Sequence, residues 1–428
     1  MHEVVAVPVD AGRARVYEHG WQSWSPTAAH RLADRPPRPV DEVRRVMNYR
    51  PDTRAPADAF WGEGLLAVDP GTGEGVHVVG APSPAGPIPS IRADVRGGQV
   101  VVRADGPVEH AVLPGGLDAA LGGWGEAFAA RAGVGPLRPA PTLWCSWYHY
   151  YTRVTEADVE ENLLALAELD LDLDVVQIDD GYQAEIGDWL LPSHRFASLP
   201  DLVARIRDRG RRAGIWTAPF LVGARSELAG RHPEWTCGEA GHGWDQPLAA
   251  LDVTRPGVEA YLREVFGTFR SWGVDFFKVD FVYAGALPGL DAYRHGLRVI
   301  REVIGPESFL LGCGAPILAS VGLVDAMRVG PDISHHWEPE TGDMSQPGQR
   351  TAASNVRWRA WQHGRFWVND PDCLVVAPQV ERRAEWAATV ERYGGLRASG
   401  DRLRGLDAWG LATTRRLVGP VPATPFGA

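Results

Sequence analysis

The run Thr142-Leu-Trp-Cys-Ser-Trp-Tyr-His-Tyr-Tyr151 decides the fold. It opens as a short apolar strand. A doubly wound nucleotide-binding sheet would follow its first strand with a glycine-rich phosphate turn. This chain places Trp147-Tyr-His-Tyr-Tyr151 there instead. From that point short apolar runs alternate with helical patterns. The runs predict strands at 142–147, 175–178, 213–218, 276–280, 309–313, 326–329, 366–369 and 396–399. Between them the spacing predicts helices at 156–169, 201–209, 258–272, 292–304, 352–363 and 380–393. Repeated βα units imply a parallel sheet, and eight of them fit a (β/α)8 TIM barrel, typically of ~250 residues.

Upstream the rhythm differs. Residues 1 to 115 show short alternating runs at 4–9, 15–17, 65–68, 76–79 and 100–104, broken by Gly, Pro and Asp, which predicts an antiparallel β-domain. A Pro- and Arg-rich stretch, 25–57, reads as a long loop. A helix is expected at 117–132. The Gly/Pro-rich segment 133–141 reads as a linker. The expected organisation is therefore a β-rich unit with a connecting helix (1–132), a linker (133–141) and a catalytic barrel (142–428).

Composition narrows the function. The 428 residues carry 43 basic and 54 acidic side chains, a formal charge of −11. A nucleic-acid binder would show a basic face. The four cysteines, Cys145, Cys237, Cys313 and Cys373, form no CxxC pair, which argues against a zinc ribbon or a disulfide scaffold. The first residues lack the basic start and apolar run of a signal peptide. No stretch approaches the ~18 apolar residues of a membrane span. A soluble, cytoplasmic protein is expected, without nucleic-acid or membrane partners; the sequence gives no oligomeric state.

Of the 43 basic residues only Lys278 is a lysine. A GC-rich genome favours arginine wherever the two exchange freely, on exposed surface. A surviving lysine is therefore of interest, because its compact charge on a flexible stem differs from a planar guanidinium fork. Chance survival is the alternative.

Barrel chemistry gathers at the C-terminal ends of the strands. Read in order, those ends give Trp147 and Tyr148, Asp179-Asp180, Trp216, Lys278 and Asp280, Cys313, Arg328 and Asp332, and Asn369-Asp370. In Phe277-Lys278-Val279-Asp280, residues two apart share a face. Lys278 and Asp280 then point together, with Phe277, Val279 and Phe281 on the other side. A cation beside Asp280 favours its ionised form, suited to nucleophilic attack; a structural ion pair would look the same. Gly330-Pro331 turns the chain, placing Asp332 on a loop over the mouth, either as a turn or capping residue or as a second carboxylic acid. One ionised and one protonated carboxyl are the machinery of glycoside hydrolysis. Asp179-Asp180 reads as a turn corner or as a pair of acceptors for sugar hydroxyls. Many of the 17 tryptophans fall near strand ends and loops, where indoles can stack on sugars. No metal motif appears: His335-His336, Glu338, Asp370 and Asp372 match neither HExxH nor a DxDxDG loop. Gly312-Cys-Gly314 lacks the dinucleotide fingerprint, and no GxSxG elbow is present. No cofactor is expected.

These residues resemble a known family. The motifs WCSWYHYY (144–151), VVQIDDGY (175–182), IGDWL (186–190), GIWTAPF (214–220), FFKVDF (276–281), FLLGCGAPI (309–317), MRVGPD (327–332) and FWVNDPDCL (366–374) are similar, in order, to those of the glycoside hydrolase family 36 α-galactosidases, or melibiases, of compact bacterial type. Gly20-Trp-Gln-Ser-Trp24 resembles the family's N-terminal loop over the neighbouring barrel mouth. The resemblance implies a retaining α-galactosidase working by double displacement on melibiose- or raffinose-type galactosides. On it Asp280 is the nucleophile and Asp332 the acid and base, their carboxyls roughly 5–5.5 Å apart. Lys278 would bind a sugar hydroxyl and hold Asp280 ionised. Asp179 and Asp180 would take the 4- and 6-hydroxyls. Trp216, Trp24, Trp147 and Tyr148 would wall the substrate site, with Cys313 and Arg328 on its far side. Family members carry a fuller N-terminal β-sandwich and a C-terminal β-domain, so the first is expected shortened here and the second slight or missing. A galactosyl transferase of raffinose-synthase type, an α-N-acetylgalactosaminidase and a non-catalytic sugar-binding barrel stay open as alternatives.

Overall fold

The computed structural model describes residues 1–42 and 44–426. Val43, in the N-terminal region, and Gly427 and Ala428, the end of the expected barrel unit, lie outside the described residues.

Two antiparallel sheets face each other at the N-terminus. One runs His2–Pro8, Gln99–Ala104, Ser90–Arg96, Phe60–Glu63 in spatial order; the other runs Ala28–Arg31, Arg15–Glu18, Leu65–Asp69, Val76–Gly80, Glu109–Leu113. The pleat explains their sequences. In the second sheet Val16, Leu66, Val68 and Val79 point into the core between the sheets. Their neighbours Tyr17, Leu65, Ala67 and Val78 point the other way, into the cluster shared with the barrel. A strand buried on both faces reads as continuous apolar residues, which is why Leu65-Leu-Ala-Val68 stands out. The strands Ala28–Arg31, Phe60–Glu63, Ser90–Arg96 and Glu109–Leu113 were not expected, and Ala28–Arg31 and the short helix Arg45–Asn48 fall in the stretch 25–57 read as a loop. Ser90–Arg96 carries Arg92 and Asp94, which pair with each other at 2.8 Å; Glu109–Leu113 is an exposed edge.

The helix Leu117–Ala132 leads to the barrel. Its eight strands are Leu143–Cys145, Val175–Ile178, Arg212–Thr217, Val274–Val279, Phe309–Gly312, Ala326–Arg328, Val368–Asp370 and Ala398–Ser399, parallel throughout. All eight match the expected runs. The seam between strands seven and eight is irregular: Asn369 O accepts from the Gly395 and Leu396 amides at 3.0 and 2.9 Å. Two features depart from a plain βα repeat. The fifth unit has only the short 3-10 turn Leu318–Ser320 where a helix was due. After strand three comes an inserted three-stranded antiparallel sheet, Leu221–Gly223, Thr236–Gly243 and Gln246–Leu251. A C-terminal helix, Ala408–Leu417, follows strand eight.

The N-terminal unit docks on the barrel through the Gly20–Trp24 loop. Ser23 N donates to Ala315 O at 3.0 Å, Ala315 N to Ser23 Oγ at 3.1 Å, and Ile317 N to Trp21 O at 3.0 Å. The fully buried Arg359 donates to the carbonyls of Ser23 (2.6 Å) and Gln22 (2.9 Å). Its guanidinium thus supplies a donor to the buried Ser23 carbonyl and a second one to the Gln22 carbonyl, which also accepts from the Ser25 amide. Gly314 lies at φ 55°, where a Cβ would sit 2.8 Å from the Trp24 ring and 2.9 Å from Phe281 N. Gly314 therefore serves close packing of Trp24 against the barrel rim, while Gly312 makes room for Met327.

Candidate active site

Strand four ends at Val279, and Asp280 stands one residue beyond it. Its amide donates to Thr217 O at 2.8 Å, seating it against strand three. Its carboxylate accepts from Trp216 Nε1 at 3.0 Å and from the Phe281 amide at 2.7 Å. Phe281 adopts φ 50°, the left-handed region that bulky residues rarely visit. The pleat therefore stops at Val279, and Phe281 turns into the cavity instead of following Phe277 and Val279 outward.

Lys278 Nζ lies 3.0 Å from Asp179 Oδ2 and 3.9 Å from Asp280 Oδ2. The strand pattern pairs it first with Asp280; its hydrogen bond runs to Asp179, across the barrel on strand two. Burial works against the Lys278 charge, but Asp179 and Asp280 outweigh it and its pKa stands well above the ordinary value. Asp179 also accepts from Gln177 Nε2 (2.5 Å), Cys145 Sγ (3.3 Å) and the Asp180 amide (2.9 Å). Among the described residues the Asp180 carboxylate has only neutral hydrogen-bond partners, Gln183 Nε2 at 2.6 Å and Trp244 Nε1 at 2.8 Å. Burial pushes its carboxyl up to about 6 against these donors, and repulsion from Asp179 and Asp280 adds to the rise.

On the opposite rim Arg328 grips three carboxylates. Its NH1 bonds Asp332 Oδ1 at 2.8 Å, its Nε bonds Asp370 Oδ2 at 2.9 Å, and its NH2 lies 2.8 Å from Asp372 Oδ1. Asp372 also accepts from the Tyr148 hydroxyl and from the amides of Ile333 (2.9 Å) and Cys373 (2.7 Å). The Asp332 side chain is 31% exposed, yet the pocket walls surround it. Burial, then the Asp372 charge, push its carboxyl up to about 7 against the pull of Arg328. It is suited to hold a proton near neutrality and to release it.

The two rims meet around a cavity of about 80 Å³. Its wall holds the carboxylates of Asp179, Asp180, Asp280 and Asp332, the Lys278 ammonium, and the rings of Trp147, Trp216, Trp244 and Phe281. A wider cavity of about 240 Å³ continues outward, sharing Trp244, Phe281 and Asp332. Trp24, Arg44 and Asn48 from the N-terminal unit and Ser345–Pro347 from the loop after strand six close its far side. Trp24 thus lies on the outer cavity of its own chain. Tyr148, Cys313 and Arg328 are buried behind the wall and line neither cavity. Arg328 and Tyr148 act on the carboxylates there, and the Cys313 amide bonds Val279 O at 2.8 Å. Among the described residues no three His, Cys, Asp or Glu side chains are placed to share a metal ion.

Sequence reasoning missed Trp244, which the inserted sheet carries to the rim. The signal was the interval from strand three to the long helix of that unit, Pro256–Trp272, far longer than the roughly 2–6 residues of an ordinary βα loop. It placed Asp370 at a strand end and weighed Asp370 and Asp372 as metal candidates; both hold Arg328.

Residues 137–284 match the Melibiase family model. The whole structure superimposes with a TM-score of 0.81 on an α-galactosidase from Thermus thermophilus solved with p-nitrophenyl α-D-galactopyranoside; the two are 30% identical over 98% of this chain and 91% of that one. The chain belongs to the glycoside hydrolase family 36 α-galactosidases. A second member of the family, from Geobacillus stearothermophilus, shares the fold at a TM-score of 0.65 and 14% identity, over 97% of this chain and 61% of that one. The bifunctional α-galactosidase/sucrose kinase of Mediterraneibacter gnavus is 30% identical over 167 residues, 34% of this chain and 17% of that protein. The chain thus matches under a fifth of the length of that curated relative. The eight-stranded barrel with an antiparallel N-terminal β-unit is the architecture of these α-galactosidases. No helix of the described residues is long and apolar enough to cross a membrane.

Proposed function

We propose that the chain hydrolyses terminal α-D-galactosyl residues with retention of configuration, Asp280 being the nucleophile and Asp332 the acid and base. The observation that carries this is one cavity wall holding two carboxyls in opposite environments. Asp280 faces three donors or cations, Trp216, the Phe281 amide and Lys278. Asp332 is raised toward neutrality. In the first step an Asp280 oxygen bonds to the anomeric carbon as the glycosidic C–O bond breaks. The leaving oxygen takes the Asp332 proton. In the second step Asp332 takes a proton from water, whose oxygen displaces Asp280 and regenerates both groups.

Asp179, Asp180 and Lys278 bind sugar hydroxyls in this reading. A wrong epimer leaves buried carboxylates short of partners, which is a strong basis for selectivity. Trp147 and Trp216 supply apolar walls for the sugar ring. Small galactosides are the proposed substrates, melibiose and raffinose types included; Thermus and Geobacillus relatives were solved with stachyose and raffinose. A cytoplasmic location is proposed as well, since four free cysteines, one exposed, suit a reducing compartment.

Turnover of a panel of aryl α-glycosides, with NMR of the first-formed anomer, tests the proposal. Preferred cleavage of the galactoside with α-galactose released first is expected. Inversion, or preference for the glucoside, would overturn it.

A further inference from the structure

The hairpin of Thr236–Gly243 and Gln246–Leu251 pairs Gly243 with Gln246 and leaves Trp244-Asp245 as a two-residue turn. Both turn residues have positive φ, 50° and 54°. Such turns favour Asn-Gly or Asp-Gly, and a bulky residue at φ > 0 is a local outlier. Outliers of this kind persist only where the surroundings over-determine them. Here Arg225 supplies the restraint. Its NH2 bonds Trp244 O at 2.9 Å, its NH1 bonds Asp245 O at 3.2 Å, and its amide bonds Gln246 Oε1 at 2.8 Å. Glu185 holds the guanidinium in turn, at 3.0 Å.

The restraint aims one side chain. Trp244 Nε1 reaches Asp180 Oδ2 at 2.8 Å. The ring leans on Phe281 at 5.2 Å and on Trp216 at 6.3 Å between centroids. It lines the inner and the outer cavity alike. Among the described residues Asp180 has no cation as a hydrogen-bond partner. Gln183 holds one oxygen and Trp244 the other. Losing the indole N–H would leave Oδ2 without its donor and the carboxylate free to rotate.

We propose that Trp244 is a positioning and specificity-determining residue: the strained turn presses its indole N–H onto Asp180, fixing the carboxylate that accepts a sugar hydroxyl. This rests on the reading of Asp180 as a hydroxyl acceptor in an α-galactosidase. Trp244 itself bonds neither the anomeric carbon nor the leaving oxygen. Its effect is on recognition of one hydroxyl, through Asp180.

Calorimetric titration with D-galactose, 6-deoxy-D-galactose and 4-deoxy-D-galactose tests this without turnover, so it stands apart from the aryl glycoside screen that tests the reaction. Trp244→Phe keeps the ring and deletes the donor. It is expected to weaken galactose about tenfold, as loss of a hydrogen bond to a charged group does. For the deoxy sugar lacking the hydroxyl that Asp180 accepts, parent and variant should bind alike. Arg225→Ala keeps the indole N–H but frees the turn carbonyls that aim it, so it should show the same selectivity with a smaller loss. Equal weakening of all three sugars, or no weakening of galactose, would overturn the proposal.

Discussion

The two rims of the pocket use the same charge inventory and reach opposite results. One places Lys278 among Asp179, Asp180 and Asp280; the other places Arg328 among Asp332, Asp370 and Asp372. Each rim holds one cation and three carboxylates, though Lys278 pairs with only Asp179 and Asp280, Asp180 being held by Gln183 and Trp244. The difference lies in the shape of the cation. The ammonium is a point charge: it bonds Asp179 at 3.0 Å and stays 3.9 Å from Asp280. Asp280 therefore feels the positive field without being gripped by it. The guanidinium is a fork with fixed directions, and it engages all three of its carboxylates at 2.8–2.9 Å. Its charge is divided among them, and Asp372 stays close enough to oppose ionisation of Asp332. On the proposed mechanism the lysine rim supplies the nucleophile and the arginine rim the acid.

The widest break in this contrast comes from removing the nucleophile. Asp280→Ala should lower kcat on an aryl α-galactoside by about 10⁴-fold or more, the scale seen when a covalent nucleophile is lost, while galactose binding measured by calorimetry persists. Parental turnover in that variant would remove Asp280 from the role. Exchanging the cations is next. Arg328→Lys cannot span three carboxylates and leaves at least one buried charge unpaired, a loss of about 3–5 kcal/mol in unfolding free energy. Denaturant titration should show it, and a parental midpoint would mean that the fork is not needed. Lys278→Arg should fold normally, because the site is at the rim, but a fork crowds the pocket and shifts Asp179 and Asp280. A fall in kcat/KM of about a hundredfold is expected for such a displacement.

The lone lysine shows how far the sequence could be read. Its rarity, its place at a strand end and its spacing from Asp280 were all visible in one dimension. That Asp179 is its closer partner was not, because the two lie on non-adjacent strands, and only the closure of the barrel brings them to 3.0 Å. The eight strands were legible because buried parallel strands are short apolar runs. The edge strand Glu109–Leu113 was not, since its residues are exposed without alternation, and the inserted sheet was not, since its strands are short or rich in Gly and Ala and carry no clear period. Trp244 escaped for that reason: its position depends on an Arg225-clamped turn that no local pattern announces. Asp372 escaped for another. At φ 94° it sits in a backbone conformation with no propensity signal, and its meaning is its contact with Arg328.

The arginine rim also predicts a pH response. In the proposed mechanism Asp332 must be protonated in the first step, and burial pushes its carboxyl up to about 7. The acid form is lost as pH rises through that value, so kcat/KM should fall on the alkaline side. Asp372→Asn removes a repelling charge and leaves Arg328 freer for Asp332. Both changes favour the Asp332 carboxylate, so the alkaline limb should move to lower pH. A limb that stays in place or moves to higher pH would show that Asp372 does not tune the acid.

The smallest effect is on stability, and it has the opposite sign from the effect on activity. Asp332 has a folded-state pKa raised from 3.8 to about 7, so the folded protein binds more protons than the unfolded chain between those values. Stability then falls as pH rises through that window and levels off above it. An asparagine at this position has no charge to gain. The substitution Asp332→Asn should therefore leave unfolding unchanged near pH 4 and make the protein more stable at pH 8. The gain is bounded at roughly 1.4 kcal/mol for each tenfold change in proton affinity between the folded and unfolded chain, and it is reduced by water reaching a side chain that is 31% exposed. The same variant should be nearly inactive. A protein that gains stability only above pH 4 while losing turnover would show that the acid is held against the preference of the fold. One that loses stability equally at both pH values would show that the Arg328 contact, not the charge, is what Asp332 contributes to folding.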